Sequence, residues 1–300
     1  MTWLLFAFIA PAFYGVAEIL DNFLSNKIFK HPLTLAFFAS MFNLLVVPIF
    51  FFFNHPAWPP LSTIPIFLIL GFVEFGYLYP YYKGLQNDDT SVVSAFFGLG
   101  RIFIPILAFL IVGEVLSLVQ YVGIILIISA SILLSFKREH TKLLFSKSFW
   151  YIGLAAFMLS FEGVLLKYLF EHGVNLSTAI GGEMLIATFF SFFLLFSHKV
   201  RHDIVTNRKA LKTFFPLFTL EEIITFLAFA AEAYAIDRAP VTIVKAIGMF
   251  IPFFILFYGK MLKTRFPRVF KETTTTGVVI KRIVLFLIMV AGILLLGNYD

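Results

Sequence analysis

The chain of 300 residues contains no cysteine. Disulfides, thiol catalysis, Cys-ligated zinc and iron–sulfur clusters are therefore all excluded. Charge is also scarce. Asp, Glu, Lys and Arg make up 13% of the residues, where a soluble domain carries about 25%, so the chain could not cover a water-facing surface. Soluble-enzyme motifs are missing: there is no P-loop, no His-Glu-x-x-His and no Gly-x-Ser-x-Gly. His198 and His202 are four apart, but in a basic stretch with no carboxylate between them, so no metal site is expected. Gly98 and Gly100 follow no strand, so nucleotide binding does not follow from them.

Apolar residues account for 60% of the chain, including 42 phenylalanines. Many of these phenylalanines must face lipid or a cavity. At about 20 apolar residues per bilayer crossing, the composition predicts an all-α polytopic membrane protein. Spans are expected at 3–24, 33–53, 64–83, 91–112, 117–136, 149–170, 177–197, 214–236, 240–259 and 279–297. Barrel strands do not fit, because the runs lack period-2 alternation and are twice a strand's length. The first run has no basic segment before it and carries Glu18 and Asp21, so it reads as a span rather than a cleavable signal. The breaks are polar or basic: 54–60 holds three prolines, 137–148 and 199–212 are basic linkers, and 260–276 could form an amphipathic surface segment.

The linker at 137–148 leaves five spans on each side, and the two sides repeat an order of landmarks. Tyr82-Lys83-Gly84-Leu85, Ser91-Val92-Val93-Ser94-Ala95, Pro105 and Gly113 are followed later by Ala233-Tyr234-Ala235-Ile236, Thr242-Ile243-Val244-Lys245-Ala246, Pro252 and Gly259. An odd number of spans per half sends the second half in from the opposite face. The expectation is two inverted five-helix repeats, 1–140 and 141–300, with a substrate site at mid-depth between them.

These residues also carry a resemblance. The run Tyr82, Gly84-Leu85, Ser91-Val92-Val93, Pro105, Gly113-Glu114, Gln120 and Gly123 resembles the EamA-type domain of the drug/metabolite transporter superfamily. Ala239-Pro240-Val241, Val244, Pro252-Phe253 and Gly292 resemble its partner domain. Two departures stand out: Lys260 replaces the acid of the second Gly-Glu pair, and Asn22 follows Asp21 where relatives often have lysine. The resemblance implies a ten-helix secondary transporter in a bacterial-type cytoplasmic membrane, with a cavity lined by helices 1, 3, 4, 6, 8 and 9 and no cofactor.

The net charge of +6 does not imply nucleic acid, because the basic residues lie between spans. If the first loop is on side one, that side holds 19 of the 23 Lys and Arg residues, against Arg238 alone on the other. The positive-inside rule then makes the basic loops cytoplasmic and puts both termini outside. The resemblance implies the reverse, since relatives generally keep their termini inside.

Eight acids fall inside the expected spans (Glu18, Asp21, Glu74, Glu162, Glu183, Glu221, Glu222 and Glu232), with three bases, Arg101, Lys167 and Lys245. A charge at mid-bilayer costs at least about 2.5–3.5 kcal/mol, so these groups must turn inward, pair or meet water. Three pairs leave about five carboxylates over, which burial favours in the protonated form. Glu74, Tyr77, Leu78 and Tyr81 share a helical face, as do Glu221, Thr225, Ala228 and Glu232. Glu18 and Glu162 sit near mid-span in corresponding helices. The expected substrate-binding set is Glu18, Glu74, Tyr77, Tyr81, Arg101, Glu162, Glu232 and Lys245, with Glu74, Glu162 and Glu232 as proton-coupling candidates.

Plainer readings stand beside these. Glu74 and Glu162 could each make an interhelical hydrogen bond. Arg101 could neutralise a glutamate or contact an anionic group. Lys245 lies near a span end and could snorkel. Asp21 and Lys83 are expected to be solvated anchors, and only one of Glu221 and Glu222 to be functional. Three residues are read as structural: Glu114 as a hairpin cap, and Pro105 and Pro252 as helix kinks.

The surplus of acids points to alternating-access transport of a small amphipathic metabolite, cationic or zwitterionic, with proton coupling. The other classes are a channel or non-transporting receptor, and a membrane-embedded lipid-modifying enzyme. The enzyme would need a reactive cluster near the headgroups, which the sequence lacks. The expected partners are substrate, protons and the bilayer, with no nucleic acid, and the oligomeric state is not encoded.

Overall fold

A computed structural model of the chain describes residues 2–29, 31–87, 93, 97, 101–135, 147–265 and 276–296. The described residues are helical with no strand. In chain order the helices are α1 (Thr2–Lys27), α2 (Pro32–Phe53), α3 (Ile64–Asn87), α4 (Phe103–Val112), α5 (Leu118–Ser135), α6 (Lys147–Glu171), α7 (Leu176–Phe192), α8 (His198–Thr206), α9 (Arg208–Arg238), α10 (Val241–Ile247), α11 (Ile251–Arg265) and α12 (Thr276–Leu296).

Among the described residues, seven stretches are helical, long and apolar enough to cross a bilayer: Thr2–Asn26, Pro32–Phe53, Leu61–Asn87, Phe149–Glu171, Leu176–Phe196, Arg208–Arg238 and Val241–Met261. Three shorter apolar helices, Phe103–Val112, Leu118–Leu133 and Ile283–Leu296, occupy the other expected spans. Large apolar side chains stay uncovered around the outside, among them Phe52, Phe53, Leu110, Phe196 and Leu294. So much exposed apolar surface suits lipid and not water.

Local sequence sets the ends of the helices. Pro32 opens α2, where a missing N–H costs nothing. Asn175 caps α7 by accepting the Thr178 N–H at 2.8 Å. Gly113 ends α4 with a φ of 69°, which glycine tolerates best. The basic stretch at 199–212 is not a plain loop. It forms the short helix α8 and the first turn of α9. At 31 residues, α9 is about 46 Å long and overruns a hydrocarbon core of about 30 Å.

Helix packing leaves the interior to a subset of elements. α1 lies along α9, α3 along α6 and α7, and α2 along α7, while α4 leans on α6 and α1 on α11. α5 and α12 form a separate pair. Their backbones touch at two glycines: a Cβ on Gly123 would meet the Gly292 carbonyl oxygen at 2.7 Å, and one on Gly292 would meet that of Gly123 at 2.8 Å. Among the described residues, neither helix contributes to the central cavity.

Candidate functional site

The cavity lies among α1, α2, α3, α6, α7 and α9, with Arg101 and Ile104 from the fourth stretch, Lys245 from α10 and Ile251 from α11. Its volume is about 140 Å³, close to the roughly 150 Å³ apolar cavity that holds a benzene. Helices α2 and α7, absent from the expected lining, contribute Ala39, Ser40, Asn43, Met184 and Ala187. No residue of the wall is exposed.

All eight expected substrate-binding residues reach this cavity: Glu18, Glu74, Tyr77, Tyr81, Arg101, Glu162, Glu232 and Lys245. Asp21, Glu221 and Glu222 join them, so seven acids and two bases share one wall. Three of the expected roles change. Lys245 does not snorkel but is only 6% exposed. Asp21 is not a solvated anchor but is buried against α3. Glu221 and Glu222, adjacent on α9, both line the cavity.

One end of the cavity is an ion-pair node. Lys245 Nζ stands 2.9 Å from Glu232 Oε2 and 3.3 Å from Glu162 Oε2, and the Tyr14 hydroxyl reaches Glu232 Oε2 at 3.5 Å. Two carboxylates on one ammonium, all buried, form a strong but exacting arrangement. Gly163, beside Glu162, makes it possible, because a Cβ there would collide with Lys245 Cε. Arg101 is hydrogen-bonded to backbone. Its Nη1 donates to the Lys245 carbonyl at 3.1 Å, just before α10 gives way to a 3₁₀ turn at Gly248–Phe250. A Cβ on Gly248 would meet the same Nη1 at 2.7 Å.

The other end is acidic and aromatic. The Tyr81 hydroxyl donates to Asp21 Oδ2 at 2.8 Å, and Thr225 Oγ1 donates to Glu221 Oε1 at 2.7 Å. Asp21 Oδ1, Glu221 Oε2 and Glu222 Oε1 are buried with no hydrogen-bond partner among the described residues. Tyr81 packs on Tyr82, Phe97 and Tyr77, with ring centroids 5.1, 5.6 and 6.2 Å away. Behind the wall, beside Met184, Glu183 is fully buried, and neither of its oxygens has a partner among the described residues.

The three structural residues sit at element ends. Pro252 is the second residue of α11 and Pro105 the third of α4. Pro105 thus lies in a first turn, where a missing N–H is tolerated, whereas Pro252 directly follows the 3₁₀ turn Gly248–Phe250 inside the single stretch Val241–Met261, where the regular helix is interrupted. Glu114 is a cap, but of a distant helix. Its carboxylate accepts the Val241 N–H at 2.9 Å and the Thr242 N–H at 3.1 Å, closing the start of α10. Burial pushes the Glu114 carboxyl above its ordinary value, opposed by those bonds. Among the described residues no group of His, Asp or Glu is arranged to hold a metal. A second crevice, about 300 Å³, runs between Leu24, Phe29, Phe38, Leu211 and Phe218; it contains no carboxylate, so the charged chemistry belongs to the first.

Comparison with known proteins bears on identity. No curated protein matches the sequence. A solved crystal structure, described only as that of a protein, shares the fold over 95% of this chain and 97% of its own, at 13% identity and a TM-score of 0.63. Residues 1–136 match the family described as the EamA-like transporter family. Over residues 1–136 the chain is thus similar to the EamA-like transporter family, which lies within the drug/metabolite transporter superfamily.

Proposed function

We propose that the protein is a secondary transporter that exposes its central cavity alternately to the two sides of the membrane. The substrate is a small amphipathic metabolite, cationic or zwitterionic, and protons are the coupling ion. The observation that carries this reading is the wall of seven acids and two bases around one cavity. Such a surplus of carboxylates in a low-dielectric space must be balanced by protons or by a cationic guest. Glu74, Glu162 and Glu232 take up and release the protons. Glu18, Tyr77, Tyr81, Arg101 and Lys245 complete the substrate wall.

The moving parts in this reading are two five-helix repeats, 1–140 and 141–300, together crossing the bilayer ten times in inverted orientation. The pattern of contacts supports it. Exchanging the halves converts the α1–α9 contact into the α6–α3 contact and maps the α5–α12 pair onto itself. Basic loops face the cytoplasm and both termini lie outside, following the charge count. A reporter fused after Asp300 tests that orientation, and a cytoplasmic signal would overturn it.

Flux into proteoliposomes, with and without a pH gradient, tests the mechanism against a panel of amines, amino acids and nucleoside-like metabolites. A carrier gives saturable flux and trans-stimulated counterflow. A channel gives no trans-stimulation, and an enzyme consumes its ligand. Glu74→Gln, Glu162→Gln and Glu232→Gln are each expected to lower pH-driven flux at least tenfold. Unchanged flux in all three would refute proton coupling through them.

A further inference from the structure

The acids of the cavity are not evenly served by its two bases. Lys245 is committed to Glu162 and Glu232 at one end, and Arg101 is turned to the backbone carbonyl of Lys245. The other end holds Asp21, Glu221 and Glu222, each more than nine-tenths buried, and each with one oxygen that has no partner among the described residues. Among the described residues the cavity's two bases are Lys245 and Arg101, and neither bonds any of these three acids.

Two helices measure the separation of the ends. On α9, Glu221 and Glu232 are eleven residues apart, or about 16 Å of rise. On α1, Tyr14, which reaches Glu232, lies seven residues from Asp21, or about 10 Å. The acidic end thus lies two to three helical turns along α1 and α9 from the Lys245 node. The wall there is completed by Tyr77, Tyr81, Tyr82 and Phe97, packed ring to ring. Carboxylates with free lone pairs beside aromatic faces form a receptor for an ammonium group, by charge, by hydrogen bonding and by attraction to the ring quadrupoles.

We infer that Asp21, Glu221 and Glu222, with the tyrosines of α3, form the cation subsite, and that it takes the primary ammonium of a monocationic amine. The Lys245 node is the resident version of the same chemistry, an alkylammonium held by two carboxylates, and it keeps the opposite end filled. The cavity volume, near that of one benzene, limits the amine's body to a single ring or a short alkyl chain. An α-amino acid cannot use both ends at once, because its two charges sit on one carbon. This inference rests on the transporter reading and names the substrate class of that cavity.

The test is equilibrium dialysis of radiolabelled 2-phenylethylamine against the purified full-length chain in detergent, where binding needs no transport. One saturable site is expected. Neither the neutral isostere 2-phenylethanol nor the anionic phenylacetate should compete at concentrations where unlabelled amine does. Asp21→Asn, Glu221→Gln and Glu222→Gln should each weaken binding at least tenfold. Glu183→Gln, which removes a buried acid outside the cavity wall, should bind as the parent does. Should the variants not fold, the unmodified chain answers alone: bound amine should protect Asp21, Glu221 and Glu222 from a hydrophobic carbodiimide, read by peptide mass spectrometry. Absent saturable binding, equal competition by 2-phenylethanol, or labelling of the three acids unaffected by amine would each overturn the inference. If amine does not bind while another metabolite shows counterflow, only the subsite falls. If amine binds as described and no compound shows counterflow, the transporter reading falls and the subsite stands.

Discussion

Lys245 holds two buried carboxylates on a single ammonium, so its removal leaves both without a counter-charge. Breaking one side of a buried pair costs about 3–5 kcal/mol. Lys245→Met is expected to lower the thermal midpoint of the purified protein by many degrees. Adding Glu232→Gln to the same chain should restore part of the loss, because one orphaned charge disappears. A midpoint equal to the parent's in the single variant would show that the node contributes nothing to stability. Much of this site is legible from helical spacing. Glu74, Tyr77 and Tyr81 recur on one face of α3, and all three reach the cavity. Asp21 was less legible, because position near a span end says nothing about depth when the neighbouring helix covers it. The Tyr81 hydroxyl that holds it comes from sixty residues away in sequence.

Between elements, contact distance is set by the smallest residue available. α5 and α12 meet backbone to backbone at Gly123 and Gly292. Small residues provide such close approach where lipid offers no hydrophobic drive to association. Gly123→Leu should destabilise the chain by about 1–3 kcal/mol, the usual cost of overpacking, seen as a lower thermal midpoint. Because neither helix lines the cavity among the described residues, amine affinity in the folded fraction should not change. Glu114 ties the loop after α4 to the first N–H groups of α10. Glu114→Ala should cost about 0.5–2 kcal/mol, as loss of a helix cap does, and hydrogen exchange at Val241 and Thr242 should quicken. Exchange unaltered there would mean the cap is not formed in solution.

For the molecule as a whole, α1 and α9 run along each other with aromatic contacts toward both ends. Phe6 and Tyr234 pack tilted at a centroid distance of 4.4 Å, and Phe23 and Phe214 edge to face at 6.1 Å. If the cavity opens alternately by rocking, fastening either end should stop turnover. The chain has no cysteine, so introduced pairs are the only thiols present. A short thiol cross-linker applied to Phe6→Cys/Tyr234→Cys, or to Phe23→Cys/Phe214→Cys, should abolish counterflow, and a cleavable linker should restore it on reduction. Counterflow undiminished by both cross-links would rule out motion of α1 against α9.

The sequence by itself determined the membrane and the helices, and it carried the family resemblance. Sixty per cent apolar residues with sparse charge admit no water-facing fold, and the order of short landmarks from Tyr82 to Gly123 already resembled the family that residues 1–136 match. It also determined that buried acids outnumber buried bases, since that is a count along the chain. Only the tertiary structure decided which acids share a base. Lys245 meets Glu162 from α6 and Glu232 from α9, a pairing fixed by how three helices cross and by the space left at Gly163. Helical periodicity describes one helix at a time, whereas charge compensation in a low-dielectric interior is settled by the neighbours that packing brings within a few ångströms.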